Sequence, residues 1–369
     1  IDTLKMDISV VFNMKRDSKK ENVYEESPSS AGHRSVVVSD TEITKSDIIY
    51  DDLYAEWDDE DTILAVKSAL EKEHNVSLIE ANEYSYQKLL EKKPQFVFNI
   101  AEGIGSTCRE AIMPSIFELL NIPYTGSDPL TLAICLNKAR TKEILSYYKI
   151  PTSNFTIIQN ENDINLESLS YPLIVKPLHE GSSKGIYNSS FVTNYSELKN
   201  EIERIITLYK QPALVEEYLP GREFTVALLG NWRNIKILPI IEFNLDLLPE
   251  DANKIYSYEA KWIWDTVDNK LDGIHQCPAT IDNNLKSQIE DICIKSFNAL
   301  NCRDWCRIDI RLDKNGIPNV MELNPLPGII PDPDAHSCFP TAARAAGMTY
   351  DDLILSVLNI AIERYNNNL

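Results

Sequence analysis

The stretch Arg307-Ile308-Asp309-Ile310-Arg311-Leu312-Asp313-Lys314-Asn315-Gly316-Ile317-Pro318-Asn319-Val320-Met321-Glu322-Leu323-Asn324-Pro325 restricts this chain more than any other, because it reads as a β-hairpin of defined register. Alternation sets Cys306, Ile308, Ile310 and Leu312 on one face and Arg307, Asp309 and Arg311 on the other. Asn315-Gly316 is the dipeptide that a two-residue type I′ turn favours. With that turn as the loop, Asp309 falls opposite Glu322 and Arg307 opposite Asn324. Two carboxylates then face each other at a Cβ separation of about 4.5 to 5.5 Å, which destabilises a hairpin unless positive charge lies between them. Two arrangements supply that charge. A divalent ion held by Asp309, Glu322 and Asn324 suits hard oxygen ligands, as Mg2+ does when it bridges carboxylates to phosphates. Alternatively, Arg307 and Arg311 neutralise the pair in an ordinary solvated sheet.

The rest of the chain has to favour one or the other. At 369 residues it is long for one domain, and size alone suggests two or three, each burying its own core. A formal charge of -20 argues against nucleic acid and anionic membrane as partners. The seven cysteines are odd in number and contain no CxxC pair, which favours neither a disulfide framework nor a zinc site and fits a reducing, cytoplasmic compartment. No apolar run reaches membrane-span length, and the opening residues carry no signal-peptide pattern.

In chain order, Met6 to Phe12 reads as a buried strand and residues 15 to 35 as a charged, Ser-rich loop. A helix from about Glu60 to His74 is followed by strands at Val76–Ile79 and Phe96–Ile100, an alternation that implies a parallel sheet. In Ala101 to Glu110, Thr107 and Glu110 form the pattern of a capping box for a helix through Leu120. Because ligands of open α/β sheets sit beyond the strand carboxyl ends, Glu102 and Arg109 are candidates for substrate contact; solvation or a role in starting the helix are the plainer readings. Turn formers at Ile122–Pro129 mark a first boundary, and the helix after it carries Lys138.

Tyr171 to Pro177 looks like a buried strand ending on Lys176, followed at once by His179-Glu180-Gly181-Ser182-Ser183-Lys184-Gly185. Small residues and hydroxyls suit a loop whose amides cradle phosphate. Neither a GxxxxGK[ST] nor a GxGxxG motif is present, so a simple hairpin turn stays open as the alternative. Ala213 to Leu219, Phe224 to Leu229 and Ile235 to Phe243 read as strands whose ends could hold a purine and a ribose. Asp246 to His275 is long, acidic and aromatic, the character of a lid. An amphipathic helix, Leu285 to Leu300, precedes the hairpin, and helical segments close the chain.

The order of these motifs resembles the ATP-grasp superfamily and, within it, the D-alanine–D-alanine ligase group. The resemblance runs from Phe96 onward. It rests on Lys-Pro-x-x-Glu-Gly-Ser-Ser at Lys176 to Ser183, Val-Glu-Glu-Tyr-Leu-x-Gly-x-Glu-Phe-Thr-Val at Val215 to Val226, Tyr-x-Tyr-Glu-Ala-Lys at Tyr256 to Lys261, Cys-Pro-Ala at Cys277 to Ala279, and Arg-Ile-Asp with Glu-Leu-Asn-Pro at Arg307 to Asp309 and Glu322 to Pro325.

It implies an α/β, three-domain ATP-grasp architecture: a parallel α/β domain over residues 1–126, a small central α+β domain over 127–217, and a C-terminal α+β domain with an antiparallel sheet over 218–369. It also implies an ATP-dependent ligase that forms an amide between two amino acids through an acyl phosphate. The alternatives are a nucleotide-binding module without turnover and a ligase with a non-peptide acceptor.

By the same likeness Lys138 and Lys176 contact phosphates, Glu180, Ser182 and Ser183 cover them, and Lys261 reaches the γ-phosphate from the lid. Glu216, Glu217 and Leu219 line the adenine pocket and Glu223 binds ribose. Asp309, Glu322 and Asn324 hold two Mg2+ ions, for which Mn2+ can substitute. Arg307, with Ser182 and Gly328, serves the reacting groups. Ser337 faces the amino-acid substrates, beside Glu102 and Arg109 already proposed from the strand ends and Trp262 of the lid, which stands where the family commonly has a tyrosine, and a homodimer is expected. The chain departs from the family where Asn99-Ile100-Ala101-Glu102-Gly103 replaces a His-Gly motif, and where the longer, acidic Pro331-Asp332-Pro333-Asp334 follows Gly328.

Overall fold

The computed structural model of the chain describes residues 5–15, 52, 54–160, 162–166, 169–265, 271, 273–335 and 337–367; beyond Lys15, the loop expected at 15 to 35 lies outside them. Three sheets carry the fold. The first is parallel and ordered β2-β1-β3, from β1 (Asp7–Phe12), β2 (Asn75–Glu80) and β3 (Phe96–Ile100). Beyond the exposed Asp7, every residue of β1 and β3 is buried, because both faces of the sheet are covered. On one side α1 (Glu60–Glu71) brings Ile63, Val66 and Leu70; on the other, α2 (Ser85–Lys92) brings Leu89, and α3 (Arg109–Leu119) brings Met113 and Phe117. The capping box expected at Thr107 does not form: α3 begins at Arg109 behind Cys108, which makes no side-chain cap.

After α4 (Pro129–Leu136) and α5 (Lys138–Tyr147), the second sheet is antiparallel and ordered β4-β7-β5-β6, with β4 (Phe155–Ile158), β5 (Leu173–Pro177), β6 (Phe191–Val192) and β7 (Ala213–Glu217). The amphipathic helix α6 (Tyr195–Tyr209) covers it with Leu198, Ile202 and Ile205, and this unit has a core of its own.

The third sheet follows the order β11-β10-β8-β12-β13, with β8 (Glu223–Leu229), β9 (Lys236–Ile237) paired to β8, β10 (Ile241–Phe243), β11 (His275–Gln276), β12 (Trp305–Leu312) and β13 (Pro318–Asn324). The single strand expected at Ile235–Phe243 is split at Pro239, which has no amide to donate. Behind the sheet lies α7 (Asn283–Ala299), and the chain closes with α8 (Cys338–Ala345) and α9 (Tyr350–Asn366).

The hairpin forms, with a different turn. Asp313 N donates to Ile317 O at 2.9 Å, Gly316 N donates to Asp313 O at 3.0 Å, and Gly316 has φ +78°. The loop is therefore Lys314-Asn315-Gly316, three residues ending on a left-handed glycine. That shifts Ile310 opposite Val320 and Leu312 opposite Pro318. A bulge at Met321 then takes up the difference, and Asp309 still faces Glu322 and Arg307 still faces Asn324.

The first and last segments, expected to bury separate cores, share one: Ile8, Val10 and Phe98 of the parallel sheet pack in the same cluster as Trp305, Phe339, Leu353 and Val357. Among the described residues no single helix is long and apolar enough to cross a membrane; the bent pair α8 and α9 that approaches that length contributes to this core.

Candidate active site

β12 and β13 bring Asp309, Glu322 and Asn324 together on one side of the third sheet. Asn324 Nδ2 lies 3.5 Å from Asp309 Oδ2 and 3.4 Å from Glu322 Oε1, and Thr225 Oγ1 donates to Asp309 Oδ1 at 2.6 Å. Arg307 donates to both oxygens of Asp309, at 3.1 and 2.9 Å, and reaches within 4.0 Å of Glu322. Arg311 takes no part in neutralising the pair, since its guanidinium is bound to Glu223 at 2.7 Å and to the Tyr218 hydroxyl at 2.9 Å.

The two carboxyls are unlike. Burial alone would raise Glu322, but Lys138, Lys176 and Arg307 overcome that and hold it down at about 2. Burial, with Glu322 beside it, raises Asp309 despite Arg307. A site with one firmly ionised carboxylate, a second carboxyl and an amide that can turn its oxygen inward fits Mg2+, which binds few protein oxygens and keeps the rest of its shell for phosphate and water. Among the described residues no group of three or more His, Cys, Asp or Glu offers a denser metal site.

The same cavity is lined by Lys138, Lys176, Glu180, Ser182, Ser183 and Lys261. Lys138, at the first position of α5, donates to the carbonyl of Glu180 and lies 3.4 Å from Glu322 Oε2. It thereby ties the loop to the acid pair. Ser182, Ser183 and Gly185 have φ of +49°, +60° and +74°, a run of left-handed backbone. Such conformations cost energy for side chains and concentrate where amides are aimed at a ligand.

The segment expected to be a lid lies on that loop. Trp262 Nε1 donates to Ser182 O at 3.2 Å, Ser183 Oγ donates to Tyr256 O at 3.0 Å, and Tyr258 N donates to Ile186 O at 2.7 Å. Burial and the neighbouring Arg307 push the Lys261 ammonium below its usual range. Lys261 and Arg307, the latter shared with Asp309, thus place two cations side by side where an anion can be received.

Glu216, Glu217, Leu219 and Glu223 also line the cavity. Glu216 is an ion-pair hub, 2.5 Å from Lys176 and 2.8 Å from the fully buried Lys142. Glu217 accepts from Asn154 Nδ2 at 3.0 Å, and one oxygen of Glu223 is taken by Arg311.

Glu102, Trp262, Gly328 and Ser337 line the cavity as well. Ser337 Oγ donates to Gly328 O at 3.2 Å and accepts from Ile330 N at 3.2 Å; His336 lies outside the described residues. Arg109, expected to contact substrate, is instead buried behind the cavity wall. Its guanidinium donates to Glu56 Oε2 and to His179 O, each at 2.7 Å.

Three residues that the sequence reading did not single out meet there: Glu56, Asp58 and Lys184. Burial opposes ionisation of Glu56, but Arg109 and Lys184 outweigh it and hold the carboxyl at about 2. Glu56 and Asp58 stand just before Asp59, which caps α1 by accepting from Thr62 N at 2.8 Å. That acidic run ahead of a helix start was the signal available for them.

A family model described as D-ala D-ala ligase C-terminus matches residues 144–359. Uncharacterized protein y4sG of Sinorhizobium fredii is 38% identical over 74% of this chain and 76% of its own length. A D-alanine–D-alanine ligase of Bordetella avium is 35% identical over 69% of this chain and 74% of its own. The crystal structure of D-alanine–D-alanine ligase from Bacillus anthracis complexed with ATP superposes with a TM-score of 0.65 at 22% identity, covering 99% of this chain and all of that one. The matched residues and the Bordetella avium relative, with the shared fold, establish that this chain belongs to the D-alanine–D-alanine ligase family, an ATP-grasp family of ATP-dependent ligases.

Proposed function

We propose that the chain joins the carboxylate of one amino acid to the amine of a second, using ATP and passing through an acyl phosphate. The observation that carries this reading is the convergence of Asp309, Glu322 and Asn324 with Lys138 and Arg307 in the cavity that Lys176 and Lys261 also line. Asp309, Glu322 and Asn324 would hold Mg2+, whose bound charge screens the phosphates.

A carboxylate is a poor acyl donor until one of its oxygens has taken the γ-phosphoryl group from ATP, with ADP leaving. Lys138, Lys176 and Lys261 balance charge during that transfer. The second substrate's amine, having lost a proton, then attacks the acyl carbon, and Arg307 stabilises the oxyanion before phosphate departs. Water would destroy the acyl phosphate, and the seating of Trp262 on Ser182 and of Ser183 on Tyr256 keeps it out.

ADP release with Mg2+ is to be measured against a panel of D- and L-amino acids. The expected result is amine-dependent release that Glu322→Gln reduces by at least a hundredfold. Release indifferent to every amine would refute the assignment.

A further inference from the structure

The register that sets the acid pair also sets a second pair one step along the third sheet. β8 and β12 run antiparallel, with Thr225 opposite Asp309 and Glu223 opposite Arg311. Two residues of strand span about 7 Å and return to the same face. Asp309, Arg311 and Glu223 accordingly all line the cavity. That offset is comparable to the reach from the terminal phosphates of a nucleotide to its sugar.

Arg311 is 4% exposed, and its two terminal nitrogens are fully engaged. Nη1 donates to Glu223 Oε2 at 2.7 Å, while Nη2 donates to the Tyr218 hydroxyl at 2.9 Å and to the Lys254 carbonyl at 2.5 Å. The Tyr218 hydroxyl donates to the same carbonyl at 3.1 Å, and the guanidinium carbon lies 4.7 Å over the Tyr218 ring. One guanidinium thus joins the first residue of β8, the first residue after β7, and Lys254 of the segment expected to be a lid.

Two details point to a ligand rather than to stability alone. Arg311 Nε is buried without an acceptor, a cost that an apolar residue at this position would avoid. Glu223, 6% exposed, gives one oxygen to Arg311, and among the described residues the other has no hydrogen-bond partner. A carboxylate held by one oxygen keeps acceptor sites for a hydroxyl on the other. Burial pushes this carboxyl up, and Arg311 opposes that more than any other neighbour does.

Resting on the ATP-dependent ligase reading, we infer that Arg311 is the positioning residue of a sugar subsite. It fixes Glu223 so that the free oxygen accepts from a ribose hydroxyl, and it ties that carboxylate through Tyr218 and Lys254 to the segment that covers the loop. The site therefore selects ribonucleotides over deoxyribonucleotides.

The test is calorimetric binding of ADP, 2′-deoxy-ADP and 3′-deoxy-ADP to the full chain with Mg2+, diphosphates being used to avoid turnover. At least one deoxynucleotide is expected to bind about tenfold more weakly than ADP, since a carboxylate built to take a hydroxyl is left unpaired by an analogue lacking it. Arg311→Met should bring that ratio to about threefold or less. Tyr218→Phe keeps the ring and removes only the hydroxyl; it should lower the ratio by about half, and it decides the matter if Arg311→Met lacks a native melting curve. A ratio that these substitutions leave unchanged overturns the inference, as does a loss of affinity for all three nucleotides by one common factor, which is what a purely structural role would produce. Equal binding of the three by the wild type also overturns it while the ligase reading stands, whereas failure of ADP itself to bind would sink both.

Discussion

Glu216 was expected to line a nucleotide pocket, and it does reach the cavity, but its carboxylate is occupied by Lys176 at 2.5 Å, Lys142 at 2.8 Å and Ser153 Oγ at 3.0 Å. Lys142 is fully buried, so removing the carboxylate leaves a cation stranded without solvent. Glu216→Gln is expected to cost about 3 to 5 kcal/mol, measured by denaturant titration. Burial pushes this carboxyl up, yet the two lysines win and hold it at about 2, below the ordinary 4.5. A depressed carboxyl contributes its full stability above the unfolded value and loses it as pH falls through the folded one. The gap between wild type and Glu216→Gln should therefore be complete near neutral pH and have shrunk by more than a third at about pH 3. A gap of constant size would show that packing, not charge, sets the cost. Nothing local in Val215-Glu216-Glu217 signals this role, because Lys142 and Lys176 reach it from α5 and from the neighbouring strand β5.

At the scale of the element, the facing pair Asp309–Glu322 could be read from the sequence, although the turn that was assumed is not the one that forms. A three-residue loop displaces the register by one and the bulge at Met321 restores it. Alternation could not reveal this, since Val320 and Met321 are both apolar and either can face the core. In the structure Val320 is fully buried, whereas the bulged Met321 is turned to line the cavity. Two predictions separate these devices. Gly316→Ala places a side chain at φ +78° and should cost about 1 kcal/mol, lowering the melting temperature by about 2 to 4 °C without changing nucleotide affinity. Met321→Ala removes apolar surface from the cavity and should weaken binding of an ATP analogue about fivefold, near 1 kcal/mol, with a smaller effect on melting. If Gly316→Ala instead weakened the nucleotide and Met321→Ala did not, the bulge would have no part in shaping the pocket. That the loop at Glu180 to Ser183 is led by its backbone was legible for a different reason: small residues and hydroxyls declare a tight turn without any knowledge of partners, and the loop does line the cavity. Glu56 and Asp58 were not, because what gives them meaning is Arg109, Lys184 and the cavity, all remote in sequence.

For the whole molecule, the alternation of strands and helices disclosed the parallel sheet, while periodicity could not disclose that its core continues into the last helices. The joint between them is Asp304. Its carboxylate accepts from Arg364 at 2.9 and 2.8 Å, from Gly126 N at 2.8 Å and from Asn231 Nδ2 at 2.9 Å, and Arg364 also donates to Tyr124 O at 2.9 Å. One fully buried side chain thus binds the segment after α3, the turn after β8 and helix α9. Asp304→Asn leaves Arg364, 3% exposed, without its counter-charge and should cost about 3 to 5 kcal/mol. Where that loss is felt follows from the cores. Ile8, Phe98, Trp305 and Val357 belong to one cluster, whereas Leu173, Val175, Ile202 and Val215 form another. Hydrogen exchange on Asp304→Asn should then show β1, β3 and α9 losing amide protection together, while β5 and β7 keep most of theirs, since cooperative opening follows shared burial. Protection lost in α9 alone would mean that the parallel sheet stands without the C-terminal helices, and the shared core would have to be regarded as contact between independently stable parts.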